Sequence, residues 1–138
     1  QIAMLAGYAL FQNVPAPEMA QLIQLSTIED WAEGDAVVVQ GGLDQRYFII
    51  LQGEVIVTAA EPGREERHLA TLSKGDSFGE SALLFDTART ATVRASAACT
   101  FLVLHREPFY QLMQNAPVLS SRIEYVARTR AAQPAEVM

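Results

Sequence analysis

Residues 78–95 read FGESALLFDTARTATVRA, and the order of residue types in this stretch decides the fold. A series of short strands is interrupted by Gly79, by a brief apolar segment at 80–84 and by a lone arginine, Arg89, before alternation resumes. Thr90, Thr92 and Arg94 then alternate with Ala91, Val93 and Ala95, the period of a half-buried strand. Gly79 lets backbone approach a bound group closely, and residues 80–84 can form a helical turn whose first N–H groups lack internal partners. Free donors of that kind favour an anion.

Arg89 follows Glu80 by nine residues, far enough for the chain to leave the short helix, turn through Asp86 and Thr87, and re-enter a strand beside the helix start. Its planar fork can give two parallel hydrogen bonds to a phosphate while staying charged, a geometry lysine lacks. Glu80 would repel the same anion, so its place makes sense if it accepts from a hydroxyl. A ribose 2′-OH is such a donor, and a deoxy ligand would leave a buried carboxylate oxygen unpaired.

Outward from this stretch, residues 31–104 carry short runs rich in Val, Ile, Phe and Tyr, at 36–40, 47–51, 54–58, 68–72, 90–95 and 99–104. Turns fall at Gly34-Asp35, Gly41-Gly42, Gln52-Gly53, Glu61-Pro62-Gly63 and Gly75-Asp76. This rhythm predicts an antiparallel β-roll, jelly-roll-like. Leu10, Phe11 and Val14, then Met19, Leu22, Ile23 and Leu25 beyond Pro15 and Pro17, predict helices over about 1–30. Phe109, Leu112 and Met113, then Leu119, Ile123 and Val126 beyond Pro117, predict C-terminal helices over about 105–131, with a flexible tail at 132–138. The expected class is mainly β with flanking α, in one domain over 1–138 that reads as a fragment of a larger protein.

Half of the 138 residues are hydrophobic, enough for one core, and ten basic against sixteen acidic residues give a net charge of −6. The basic residues form no stripe, so direct nucleic-acid contact is not expected. In such an acidic chain a single placed arginine suits one focused anion better than a polyanion. No apolar run approaches the ~20 residues needed to span a bilayer, and no signal-peptide pattern is present. The lone Cys99 fits a reducing compartment, and cytoplasmic location is expected.

The segment at 78–95 resembles the phosphate-binding cassette of the cyclic-nucleotide-binding domain family. The LFQNVP opening, the spacing from Gly34-Asp35 through YFIILQGEV, the GDSFGESALL run and the RTATVRA strand all follow that family's order. The resemblance implies that Gly79, Ser81 and Ala82 offer backbone or hydroxyl contacts, that Glu80 binds the ribose 2′-OH, and that Arg89 binds the exocyclic phosphate oxygens. It places Thr90 and Ala91 beside phosphate and purine, Val57, Leu69 and Leu72 on an apolar wall, and Tyr125, Arg128 or Arg130 as a lid over the base. Two positions depart from the commonest pattern. Ser81 stands where an aliphatic residue is frequent, and Ala88 replaces the usual proline, which leaves the loop before Arg89 less restrained.

His68 and His105 lie on separate runs with no ligand-spaced companion, so no metal site is expected, and no nucleophile set or paired carboxylates point to catalysis. Cys99 is expected in the core, and the Arg64, Glu65, Glu66, Arg67 cluster at a solvated hairpin tip. The function read from all this is a regulatory module, not an enzyme, that binds cAMP ahead of cGMP and signals through its C-terminal helices to a linked or associated effector domain. The rival readings are a structural or dimerisation roll deaf to nucleotide, and a DNA-binding regulator whose helix-turn-helix would have to lie outside these residues. Leu119, Ile123 and Val126 could pair with a second chain in a homodimer or pack on the roll.

Overall fold

The computed structural model describes residue 5 and residues 7–132. After a 3₁₀ turn at Ala9–Phe11 come α1 (Ala16–Leu25), β1 (Thr27–Trp31), β2 (Ala36–Val38), β3 (Arg46–Gln52), β4 (Glu54–Ala59), β5 (Arg67–Ser73) and β6 (Ser77–Phe78). The short helix α2 (Glu80–Leu84) precedes β7 (Thr92–Ala95) and β8 (Cys99–His105), and α3 (Arg106–Asn115) and α4 (Pro117–Ala132) close the chain. Two four-stranded sheets, ordered β1-β8-β3-β6 and β2-β7-β4-β5, face one another, and all strand pairs are antiparallel.

Strands β3 and β8 are apolar on both faces because both faces are covered. Phe48, Ile50, Phe101 and Val103 point between the sheets, where they meet Val55, Phe78 and Val93. Tyr47, Ile49, Leu51, Leu102 and Leu104 point the other way, onto Phe11, Met19, Leu22, Phe109, Leu112, Leu119 and Ile123 of the helices. Double burial gives a continuous apolar run instead of alternation. Between β3 and β4, Gly53 turns at φ +100°, where a Cβ would come within 2.5 Å of the Ala98 carbonyl oxygen.

The long final helix is fastened at its start. Buried Glu18 of α1 accepts from the amides of Leu119 at 2.9 Å and Val118 at 3.3 Å, which satisfies donors that a helix start leaves open. Arg122 adds donation to the Gln12 carbonyl at 2.6 Å. Leu119 and Ile123 are buried within this same chain and Val126 is half-buried, so the stripe packs on the roll.

Several boundaries differ from the sequence reading. The N-terminal helical region stops at Leu25, and Thr27–Trp31 is a strand, β1. Its sequence, TIEDW, hides this because it is an edge strand carrying charges, with Ile28 half exposed. The segment around Leu10 forms only a 3₁₀ turn, and the two-residue β6 is too short to leave a pattern. Strand β7 starts at Thr92, so Thr90 and Ala91 lie in the approach to it. Arg67 opens β5 instead of belonging to the hairpin tip. Residues 1–4, 6 and 133–138, including most of the expected tail, lie outside the described residues.

Candidate functional site

Arg89 sits in the loop between α2 and β7, and its main chain is clamped by the Gly41-Gly42 turn. Its N–H donates to the Gly42 carbonyl, and its carbonyl accepts from the Gly41 N–H, each at 2.8 Å. Its side chain is just as fixed. Nε and Nη2 donate to the two oxygens of Asp44 at 3.3 and 2.8 Å, Nη2 also to the Arg46 carbonyl at 2.8 Å, and Nη1 to the Gly79 carbonyl at 3.0 Å. Four of the five guanidinium N–H groups are thereby engaged, and the fifth, on Nη1, remains for an incoming acceptor. The arginine is 5% exposed, buried and already oriented.

Asp44 also accepts from Nε and Nη2 of Arg46. Burial alone would push the Asp44 carboxyl up. Hydrogen bonds and charge from Arg89 and Arg46 outweigh it and hold the carboxyl below its ordinary value. Gly79 is required between these groups: at φ +97° an added Cβ would lie 2.6 Å from the Arg46 carbonyl oxygen and 3.0 Å from Arg89 Nη1.

Glu80, the first residue of α2, is 2% exposed. Its Oε1 accepts from Arg130 Nη1 of α4 at 2.7 Å, and the Ser81 hydroxyl lies 3.4 Å from Oε2. Arg130 Nη2 donates in turn to the Ser77 carbonyl at 2.7 Å. One arginine thus ties the end of α4 to β6 and α2.

A cavity of about 530 Å³ opens beside these groups, within the range typical of small-molecule sites. Its lining contains Gly79, Glu80, Ser81 and Ala82 from α2 and its cap, Arg89, Thr90 and Ala91 from the loop, and Val57, Leu69 and Leu72 from β4 and β5, the residues anticipated for phosphate, ribose and the apolar wall. Of the three lid candidates, Arg130 reaches the lining, whereas Tyr125 is exposed and Arg128 pairs loosely with Glu124 at 4.0 Å. Three arginines, Arg67, Arg89 and Arg130, face the cavity with a single glutamate, so an acidic chain concentrates positive charge there. A second, larger cavity of about 630 Å³ shares Thr87 and Ala88 but contains neither Arg89 nor Glu80.

Sequence reasoning missed Asp44, Gly41-Gly42 as the clamp on Arg89, and Gln45. Gln45 Nε2 donates to Asp86 Oδ1 at 2.8 Å and to the Ala82 carbonyl at 3.3 Å, restraining the loop where Ala88 does not. The commitment of Asp44 to an arginine 45 residues away leaves no local spacing signal. His68 and His105 are both exposed, and Cys99 is buried. Among the described residues no cluster of three His, Cys, Asp or Glu is placed to hold a metal ion, and no helix is long and apolar enough to cross a membrane.

Comparison with known proteins agrees with this architecture. Residues 28–116 match the model of the cyclic nucleotide-binding domain. The chain is 34% identical over 128 residues to cGMP-dependent protein kinase 2 of Homo sapiens, a match covering 89% of this chain and 16% of the kinase. It is 38% identical over 89 residues to the cAMP-dependent protein kinase regulatory subunit of Mycosarcoma maydis, covering 64% of this chain and 17% of that protein. The chain therefore spans about a sixth of the length of these relatives. Among solved structures, the Thermus thermophilus catabolite activator protein superposes with a TM-score of 0.82 at 26% identity, over 88% of this chain and 57% of that one. The regulatory domain of Toxoplasma gondii PKA with cAMP shares the fold, with a TM-score of 0.84 at 24% identity over 96% of this chain and 49% of that one. With the cassette, the two-sheet roll and the family match in agreement, the chain belongs to the cyclic nucleotide-binding domain family.

Proposed function

We propose that the chain is a non-catalytic regulatory domain that binds a cyclic nucleoside monophosphate, cAMP ahead of cGMP, and reports its occupancy through α4. The observation that carries this reading is the meeting of Arg89, Glu80 and Arg130 at one cavity. Arg89 offers its remaining Nη1 N–H and a buried charge to the phosphate. Glu80 offers its carboxylate to the ribose 2′-OH. Val57, Leu69 and Leu72, with Ala59 and Ala70, form an aliphatic wall for the base. That wall alone offers no hydrogen-bond partner to the polar edge of either purine, so the ranking of cAMP first is tested by titration with both nucleotides. The Thr90 hydroxyl is the polar exception, and the names of the relatives include both nucleotides.

In this reading the ribose hydroxyl competes with Arg130 for Glu80, so the ligand acts on the C-terminal end of α4. Glu18 holds the opposite end, and α4 pivots about it as Arg130 leaves Glu80 and moves over the base. Coupling of this kind is typically ~1–3 kcal/mol and is reciprocal with the output. The output is a linked or associated effector, as the one-sixth coverage of the kinase relatives suggests. Cytoplasmic location belongs to the same reading.

The test is hydrogen exchange on the folded chain with and without each nucleotide, following the amides of residues 118–131. Saturating cAMP is expected to change exchange there and at 79–91. Unchanged exchange in α4 under demonstrated saturation would overturn signalling through this helix. Absence of binding by either nucleotide would leave a structural roll deaf to nucleotide.

A further inference from the structure

Strand β3 opens with a charge in an otherwise apolar run, RYFIIL. Arg46 shares its face of the strand with Phe48 and Ile50, which point between the sheets. Its guanidinium lies over the Phe48 ring, 5.1 Å from the centroid, and Nη2 donates to the Val37 carbonyl at 3.4 Å. Nε and Nη2 both donate to one oxygen of Asp44, Oδ2, at 3.2 and 3.0 Å. That same oxygen accepts from Nη2 of Arg89 at 2.8 Å. The Arg46 side chain is 24% exposed and that of Asp44 34%, against 4% for Arg89. The Arg46 carbonyl also accepts from Arg89, a main-chain contact that survives any substitution at position 46.

Asp44 orients Arg89 at an electrostatic cost. A carboxylate against a guanidinium makes a neutral pair, and a neutral pair attracts a phosphate less than a lone cation does. Arg46 changes that balance. Two arginines on one carboxylate leave one positive charge in surplus, and the oxygen they share divides its charge between them. Arg89 is then held in place without being neutralised. The other ion pair at the cavity, Glu80 with Arg130, balances itself. On the reading of the cavity as a cyclic-nucleotide site, the geometry points to Arg46 as a positioning residue for the phosphate: through Asp44 Oδ2 it fixes the carboxylate that orients Arg89, and it supplies the positive charge which that carboxylate would otherwise cancel. Arg46 is absent from the described residues that line the cavity, so it acts through Asp44 and the local field, without touching the ligand.

The experiment is calorimetric titration with cAMP of wild type, Arg46→Met and Arg46→Lys, each at about 20 mM and about 500 mM salt, with thermal unfolding of each free protein. Methionine keeps an apolar stem against Phe48, and lysine keeps the charge while losing the planar fork. Arg46→Met is expected to bind about 3- to 10-fold more weakly than wild type at low salt, and the gap should narrow at high salt because charges this exposed are screened. Arg46→Lys is expected to recover most of the loss. If Arg46→Met does not melt cooperatively, Arg46→Gln takes its place beside Arg46→Lys. Wild-type affinity in the uncharged variant at low salt overturns the role of Arg46 alone. A loss unchanged by salt, or one that lysine does not recover, also overturns it, since packing and fork geometry do not respond to screening. No binding of cAMP by folded wild type overturns the nucleotide reading, and the Arg46 role with it.

Discussion

Arg130, near the end of α4, and Glu80, at the start of α2, form a 2.7 Å ion pair in which the glutamate side chain is 3% exposed and the arginine 29%. Removing one partner of such a pair strands the other as a buried charge. Arg130→Ala is therefore expected to destabilise the free protein by about 1–3 kcal/mol in urea unfolding, less than for a fully buried pair because the arginine is partly wet. Saturating nucleotide should recover part of the loss, because a ribose hydroxyl gives Glu80 another donor.

Asp44 couples the site to pH. Its folded carboxyl lies below the ordinary range, so the stability it contributes is fully present above the unfolded value of about 3.9 and is lost as pH falls through the folded value. Urea midpoints of wild type should fall as pH is taken from about 6 towards 3, and Asp44→Asn should fall less steeply over that window. At neutral pH the same variant should bind nucleotide about tenfold more weakly, because Arg89 loses the carboxylate that orients it.

Gly79→Ala places a methyl 2.6 Å from the Arg46 carbonyl oxygen at a backbone angle that L residues rarely adopt. A cost of about 1–3 kcal/mol in thermal or chemical unfolding is expected, with nucleotide binding weakened by at least about tenfold.

Ala88→Pro should act in the opposite direction. The Gln45 side chain already restrains this loop through Asp86, and the Arg89 N–H, not that of Ala88, bonds to Gly42. Proline should raise stability by about 0.4–1 kcal/mol and tighten binding severalfold, whereas Gln45→Ala should loosen it. Parallel titrations of the two variants would show opposite shifts.

The roll was legible because its strands announce themselves: YFIIL and FLVL are apolar on both faces, and glycine turns separate them. Strand β1 was not, because an edge strand can carry Glu29 and Asp30 without penalty and so loses the pattern that marks burial. At the site, the residues of one contiguous segment, Gly79 to Ala91, could be read together because their spacing is local. Asp44 and Gln45 could not, since each acquires its role only when the loop before β3 is folded against α2 and the loop that carries Arg89. Arg130 was one of three lid candidates until α4 turned it towards Glu80 and left Tyr125 in solvent.

The most direct test of the account is calorimetric titration of the folded chain with cAMP and cGMP, for wild type and for Arg89→Ala. Saturable binding of a cyclic nucleotide by wild type, weakened at least about a hundredfold in a folded Arg89→Ala protein, is the predicted result, since a buried charged hydrogen bond to phosphate is lost. Binding by Arg89→Ala with wild-type affinity would contradict the assignment of Arg89 to the phosphate, and no binding of either nucleotide by folded wild type would contradict the nucleotide-binding function itself.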